Sequence, residues 1–304
     1  MRTFRIDRIL VPTDLSQPAL IALRYARTFA EHFSAGLTII HVDPITFPVA
    51  GMASAEAPLY LADTPERLAE LEKEIRTYSE ETLAGLAYAV RAVGGQPVPS
   101  IVREAEKCAA DLIVMATHGL RGWRRAILGS VTESVLHTGD YPVLSVSRPE
   151  DRPRTPAGVT KILCPVNFTD VAHDSLDYAA QLAGAFGCEL VVVHVLEGQE
   201  PIPATALEED VRRWIEPSMR DRCTYRQIVL RGGPAERVLD CAEDIGADLL
   251  VIGAQHKLFR DVTTIGTTTE RLVRFARMPV LTVPRGIESV SEIAAAETEP
   301  AHAG

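Results

Sequence analysis

The chain is 304 residues long, which predicts two domains better than one at roughly 100 to 200 residues per domain. Hydrophobic residues make up 46% of it, and 31 Lys and Arg against 41 Asp and Glu leave a net charge of -10. An acidic chain without a long basic run lacks the footprint of a nucleic-acid binder. The charged start Met1 to Arg8 has no apolar leader core, and no apolar run approaches the roughly 18 residues that cross a bilayer, so a soluble cytoplasmic protein is expected, with no nucleic-acid or membrane partner.

The first predicted strand, Ile9 to Val11, begins a pattern that recurs. Arg8-Ile9-Leu10-Val11-Pro12-Thr13-Asp14 matches Lys161-Ile162-Leu163-Cys164-Pro165-Val166-Asn167, and Ile40-His41-Val42 matches Val193-His194-Val195, both at an offset of 153. Ala110-Asp111-Leu112-Ile113-Val114 then matches Ala247-Asp248-Leu249-Leu250-Val251, and Pro142 to Val146 matches Pro279 to Val283, at 137. A fixed self-similarity of this kind means repeated units.

Further strands of the first copy are predicted at Leu37 to Val42, Ala87 to Val93, Leu112 to Met115 and Val143 to Val146. The second copy repeats them at Ile162 to Cys164, Leu190 to Val195, Tyr225 to Leu230, Leu249 to Ile252 and Val280 to Val283. Short apolar, β-rich runs separated by helical patterns indicate parallel strands with crossover helices. The expected fold is therefore α/β: two tandem open-twisted five-stranded parallel sheets flanked by helices, Rossmann-like, with domains at 1–148 and 159–286.

After the first strand, Ala19, Leu23, Ala26, Phe29, Ala30 and Phe33 fall at helical spacing, as do Ala172, Leu176, Ala179, Leu182, Ala183 and Phe186 in the second copy. Both stripes read as core. Thr64-Pro65 offers an N-cap with proline at N1, and Thr205 with Glu208 offers a capping box for the corresponding helix. The change of offset leaves 16 extra residues in the first copy, around Pro44 to Asp63: a long loop that is a lid, a contact between halves, or a surface elaboration without a role. Residues 149–158 read as a linker and 287–304 as a mobile tail.

The five cysteines, Cys108, Cys164, Cys188, Cys223 and Cys241, form no C-x-x-C pair and read as reduced packing residues. His41 and His194 occupy equivalent strand ends without a Cys or carboxylate at ligand spacing, so a structural role is expected and no metal.

The strongest chemical signal follows the fourth strand. Ala116-Thr117-His118-Gly119 leaves the strand, Leu120-Arg121-Gly122-Trp123-Arg124-Arg125-Ala126-Ile127-Leu128 follows, and Gly129-Ser130 opens the next helix. Glycine admits positive φ and close approach of backbone N–H groups to an anion, and a helix N-terminus adds unpaired donors and a favourable dipole. Arg121, Arg124 and Arg125 either reach phosphates or form a solvated loop, and His118 is either a ligand contact or a satisfied loop histidine.

This pattern resembles the universal stress protein family, whose nucleotide-binding members carry G-x2-G-x9-G-[S/T] at this place; here alanine stands at the first position. Pro12-Thr13-Asp14, His41-Val42 and Pro142-Val143-Leu144 match as well, and the repeat extends the resemblance to about residue 285. The resemblance implies ATP, with or without Mg2+, as cofactor. It implies that Asp14 contacts the ribose and adenine side, that backbone near Val42 holds adenine, and that Gly119, Gly129 and Ser130 hold phosphates. The candidate site comprises Pro12, Thr13, Asp14, Val42, Met115, Ala116, His118, Gly119, Arg121, Gly122, Gly129, Ser130, Val131 and Thr132. Asp14 also has a reading as the cap of the helix that starts near Ser16.

The second copy departs further, with a loop running from Gly253 to Thr267 that places His256 at the middle glycine, and with Asn167 in place of the aspartate. Its candidate residues, Pro165, Val166, Asn167, Val195, Gly253, His256, Gly266, Thr267 and Thr268, predict a weaker or altered second site. The resemblance further implies pairing of the halves through their last strands, and a homodimer beyond that.

No G-x-x-x-x-G-K-[S/T], S-G-G-x-D-S, H-I-G-H or G-x-S-x-G motif is present, so turnover is not expected. The leading expectation is a nucleotide-binding stress regulator acting on an unknown protein partner. Its rivals are a protein-interaction module that has lost nucleotide binding and a slow ATPase.

Overall fold

In the computed structural model, the described residues are 4–44, 64–117, 128–138, 140–147, 158–198, 204–215, 222–254, 256–259, 262–265 and 267–287. The loop residues 118–127, most of the insertion after Pro44, the linker up to residue 157 and the tail from residue 288 lie outside them.

The first half runs β1 (Arg8–Pro12), α1 (Gln17–Phe33), β2 (Gly36–Pro44), α2 (Pro65–Glu80), β3 (Tyr88–Gly95), α3 (Pro97–Lys107), β4 (Leu112–Ala116), α4 (Ser130–Thr138) and β5 (Val143–Val146). The second runs β6 (Lys161–Val166), α5 (Asp170–Phe186), β7 (Glu189–Leu196), α6 (Ala204–Trp214), β8 (Tyr225–Arg231), α7 (Pro234–Asp244), β9 (Leu249–Gly253), β10 (His256–Phe259), β11 (Val262–Ile265), α8 (Thr267–Phe275) and β12 (Val280–Val283).

The two predicted five-stranded sheets join into one ten-stranded sheet of order β3-β2-β1-β4-β5-β12-β9-β6-β7-β8. Within each half the pairs are parallel. At the seam β5 and β12 are antiparallel, with Leu144 opposite Leu281. The strands of the halves therefore point in opposite directions, and their carboxyl ends open at opposite edges of the sheet.

Side chains alternate across the sheet and feed two cores. Ile9 and Val11 of β1 join α1, α2, α5 and α6 on one face. Leu10 joins α3, α4, α7 and α8 on the other. The repeated Ala-Asp-Leu stretch ties strands together: Asp111 Oδ2 accepts from Asp7 N at 2.7 Å and Arg8 N at 2.9 Å, latching the start of β1 to β4. Asp248 Oδ2 does the same with Thr160 N and Lys161 N at 2.9 and 3.1 Å.

The predicted helical stripes are buried except at their ends, where Phe33 and Phe186 are half-exposed. These two rings meet each other across the halves at 5.5 Å, and Phe29 meets Phe186 at 5.4 Å. His32 stacks on Phe186 and bonds through Nε2 to the Ala185 carbonyl at 3.0 Å.

Two expectations need correction. The stretch between Gly253 and Thr267 holds the antiparallel hairpin β10-β11, with Phe259 opposite Val262. Lys257-Leu258-Phe259 and Val262-Thr263-Thr264-Ile265 are β-prone runs two residues apart, a hairpin signal that the glycine pattern obscures. The helix predicted to be capped by Thr205 begins at Ala204, which puts Thr205 inside its first turn.

Candidate nucleotide-binding site

In each half the strand order reverses between the first and fourth strands, β1 and β4 or β6 and β9, and crevices for ligands form at the carboxyl ends of strands at such a switch point. The described candidate residues of the first half converge there. Pro12, Thr13 and Asp14 leave β1, Val42 lies near the end of β2, Met115 and Ala116 end β4, and Gly129 to Thr132 open α4.

The turn after β1 is fixed from several sides. His41 Nδ1 lies 2.8 Å from the Thr13 carbonyl, which can only accept, so Nδ1 carries the proton. Thr13 Oγ1 accepts from Leu15 N at 3.0 Å, and Asp14 Oδ1 accepts from Ser16 N at 3.1 Å. Leu15 is held at φ 60, a left-handed conformation that costs a non-glycine residue roughly 1–2 kcal/mol. The Tyr78 hydroxyl donates to the Ser16 carbonyl at 2.7 Å. Burial pushes the Tyr78 phenol up to about 12, with the Asp14 charge raising it further and the Thr13 hydrogen bond opposing, so this donor keeps its proton at neutral pH.

Ser16, and not Asp14, is the N-cap of α1: its hydroxyl accepts from Ala19 N at 3.3 Å. Asp14 is a half-buried carboxylate two residues ahead of the cap, just after the end of β1 beside the switch point.

At the opposite wall, Gly129 N donates to the Thr117 carbonyl at 2.7 Å, which ties the start of α4 to the residue after β4. The Gly129 carbonyl receives Glu133 N at 2.9 Å, so the first amides of α4, those of Ser130 to Thr132, lie in the helical turn that has no intrahelical acceptor. The Thr132 hydroxyl is buried and bonds the Ala116 carbonyl at 2.7 Å, so this candidate side chain anchors α4 to β4. Ala116 continues β4 and is absent from the residues with positive φ, so its methyl carries no backbone strain. His118, Gly119, Arg121 and Gly122 lie outside the described residues, as do Trp123, Arg124 and Arg125.

The second half repeats the frame. His194 Nδ1 lies 2.8 Å from the Val166 carbonyl, and Phe168 takes φ 59 where Leu15 takes 60. Thr169 is the N-cap of α5. Its hydroxyl also donates to Asn167 Oδ1 at 2.8 Å, so the carboxamide is tied to the cap. A cavity of about 160 Å³ is lined by Pro165, Val166, Asn167, Val195, Gly253, Thr267 and Thr268, seven of the nine residues expected at this place. His256 lies in β10, and Gly266 is outside the described residues.

The cavity has further lining residues that the sequence did not point to, Thr169, Val171 and Glu197 among them. Thr169 was legible as a cap three residues before Ala172. Val171 packs so tightly on Gly253 that a Cβ there would lie 2.5 Å from Val171 Cγ1 and 2.6 Å from its carbonyl oxygen. Glu197 lines the same cavity from the end of β7, where the first half has Pro44. No group of three or more His, Cys, Asp or Glu side chains able to hold a metal occurs among the described residues. None of their helices is long and apolar enough to cross a membrane.

The universal stress protein family model matches this chain twice, over residues 5–147 and 158–284. The chain belongs to the universal stress protein family. It is 35% identical over 144 residues to a universal stress protein of Methanocaldococcus jannaschii, covering 47% of this chain and 83% of that one. A universal stress protein of Mycolicibacterium smegmatis is 24% identical over 295 residues, covering 90% of this chain and 96% of its own. Among solved structures, a universal stress protein from Archaeoglobus fulgidus superposes with a TM-score of 0.71 at 24% identity, over 93% of this chain and all of that chain, and so shares the fold. Two family matches in one chain account for the repeat, making this a tandem universal stress protein.

Proposed function

We propose that this universal stress protein binds ATP, chiefly in the unit formed by residues 1–148, and acts in the cytoplasm as a stress-response regulator whose occupied site is read by a protein partner. The carrying observation is the Asp14 carboxylate, held at the switch point by a turn fixed from four sides. A carboxylate accepts strongly from ribose hydroxyls, and the amino end of α4 across the crevice favours phosphate. Pro12, Thr13 and Val42 would line the base and ribose side, with Gly129, Ser130 and Val131 on the phosphate side.

The unit at 159–286 is the altered site in this reading. Asn167 cannot supply the charge of Asp14, and Thr169 already engages its carbonyl. Glu197 puts a carboxylate elsewhere on the cavity wall.

Calorimetric titration of the purified chain with ATP, with and without Mg2+, tests the proposal, alongside Trp123 fluorescence. Saturable binding near one nucleotide per chain is expected, and no binding below about 1 mM ATP overturns it. Asp14→Asn should weaken binding about tenfold or more, the loss expected when one charge-assisted hydrogen bond goes. Equal affinity in that variant would remove the site assignment.

A further inference from the structure

The cysteines, scattered in sequence, are not all isolated in space. Cys188 follows Gly187, the left-handed C-cap of α5, and its amide donates to the Ala183 carbonyl at 3.0 Å. Cys223 lies on the approach to β8. β7 and β8 are parallel with Leu190 opposite Tyr225, and Leu190 N donates to the Thr224 carbonyl at 2.9 Å. Extended two residues back on each chain, beyond the first residues of β7 and β8, that register would set Cys188 opposite Cys223. Both pack against the same core, Cys188 buried and Cys223 half-buried.

The approach of Cys223 is also fixed from the helix. Arg222 pairs with Asp177 of α5 at 2.5 Å, and Gly184 of α5 lies against the Arg222 carbonyl with no room for a Cβ. Neighbouring strands lie about 4.8 Å apart, within the roughly 4.4–6.8 Å between Cα atoms that a disulfide spans. The thiols sense one another as well. Burial pushes Cys188 up to about 12, and the next cause is the neighbouring Cys223. Burial also raises Cys223, with the Arg222 charge opposing. Two neutral thiols therefore pack quietly in the reduced protein, and oxidation requires an external oxidant.

We propose that Cys188 and Cys223 are a redox pair that closes to an intrachain disulfide when the protein meets a hydroperoxide. The more exposed Cys223 reacts first. Its sulfur attacks a peroxide oxygen, the O–O bond breaks, and the departing hydroxide leaves as water with the thiol proton, giving a sulfenic acid. The Cys188 sulfur then attacks the Cys223 sulfur, and the sulfenic hydroxyl departs as a second water with the Cys188 proton. Two thiols and one hydrogen peroxide thus become one disulfide and two waters. The bond staples β8, the outermost strand of the second half, to β7. It forms at the amino ends of these strands, across the sheet from the cavity at their carboxyl ends, so it is independent of the nucleotide reading.

The test is to treat the full-length chain with a small molar excess of hydrogen peroxide, block remaining thiols with iodoacetamide under denaturing conditions, and map the non-reduced digest by mass spectrometry. A peptide pair joined through Cys188 and Cys223, lighter by two hydrogens and released by dithiothreitol, is expected as the dominant oxidised species. Separate alkylation of both residues, oxygenation without a link, or a link no more abundant than those through Cys108 or Cys241 would overturn the proposal. In Cys188→Ser, several-fold more Cys223 should be trapped by dimedone as sulfenic acid than in the unmodified chain. The absence of that increase in a variant with unchanged circular dichroism would overturn the order of attack, while the link in the unmodified chain is measured without any substitution.

Discussion

Gly253 and Ala116 occupy equivalent ends of the fourth strand, and neither uses a left-handed backbone. What separates them is the helix that follows the first strand. Val171 of α5 sits against Gly253, and the missing side chain is what lets the helix approach. We expect Gly253→Ala to destabilise the chain by about 1–3 kcal/mol, the usual cost of overpacking, because part of the obstruction is backbone that cannot rotate away. The midpoint of urea unfolding reads this directly. Asp14 was legible as a functional candidate from its place after Pro12-Thr13. Its exclusion as the helix cap was not, because Asp14 and Ser16 are both good caps and only the hydrogen bond from Ala19 N selects Ser16. The roles of Tyr78 and Glu197 were equally hidden: neither residue carries a local signal, and both reach the sites from other elements.

Elements were legible where local chemistry dictates them. The Thr64 cap accepts from Arg67 N at 3.2 Å with Pro65 at N1, as the sequence implies, and the strands of the main sheet cover the apolar runs predicted for them, save that β3 begins at Tyr88, one residue after Ala87. The β10-β11 hairpin was not legible because its signal lies inside a motif read for its glycines. Ser16→Ala should cost about 1 kcal/mol by leaving the Ala19 amide without its cap. Its thermal denaturation midpoint should fall, whereas Gln17→Ala, on the exposed first position of α1, should leave it nearly unchanged.

For the whole molecule, the seam decides whether the halves stand or fall together. Leu144 and Leu281 face each other in the antiparallel pair and are fully buried. Thr282 Oγ1 donates to the Val143 carbonyl at 3.2 Å, and Ser147 Oγ to that of Ala276 at 2.9 Å. Leu144→Ala should destabilise by about 2–5 kcal/mol through a cavity at this seam. Its cost should not add to that of Leu281→Ala, because the two side chains share one contact; strict additivity in a double-mutant cycle of urea unfolding would count against a common seam. By itself the sequence determined the repeat, the strand and helix types and the residues near each switch point, since periodicity, capping and glycine placement act over a few residues. The tertiary structure alone decided the antiparallel sense of the seam, the opposite opening of the two sites and the packing of Cys188 and Cys223 against one core. Those are contacts between segments far apart in the chain, fixed by packing against helices that no local pattern specifies.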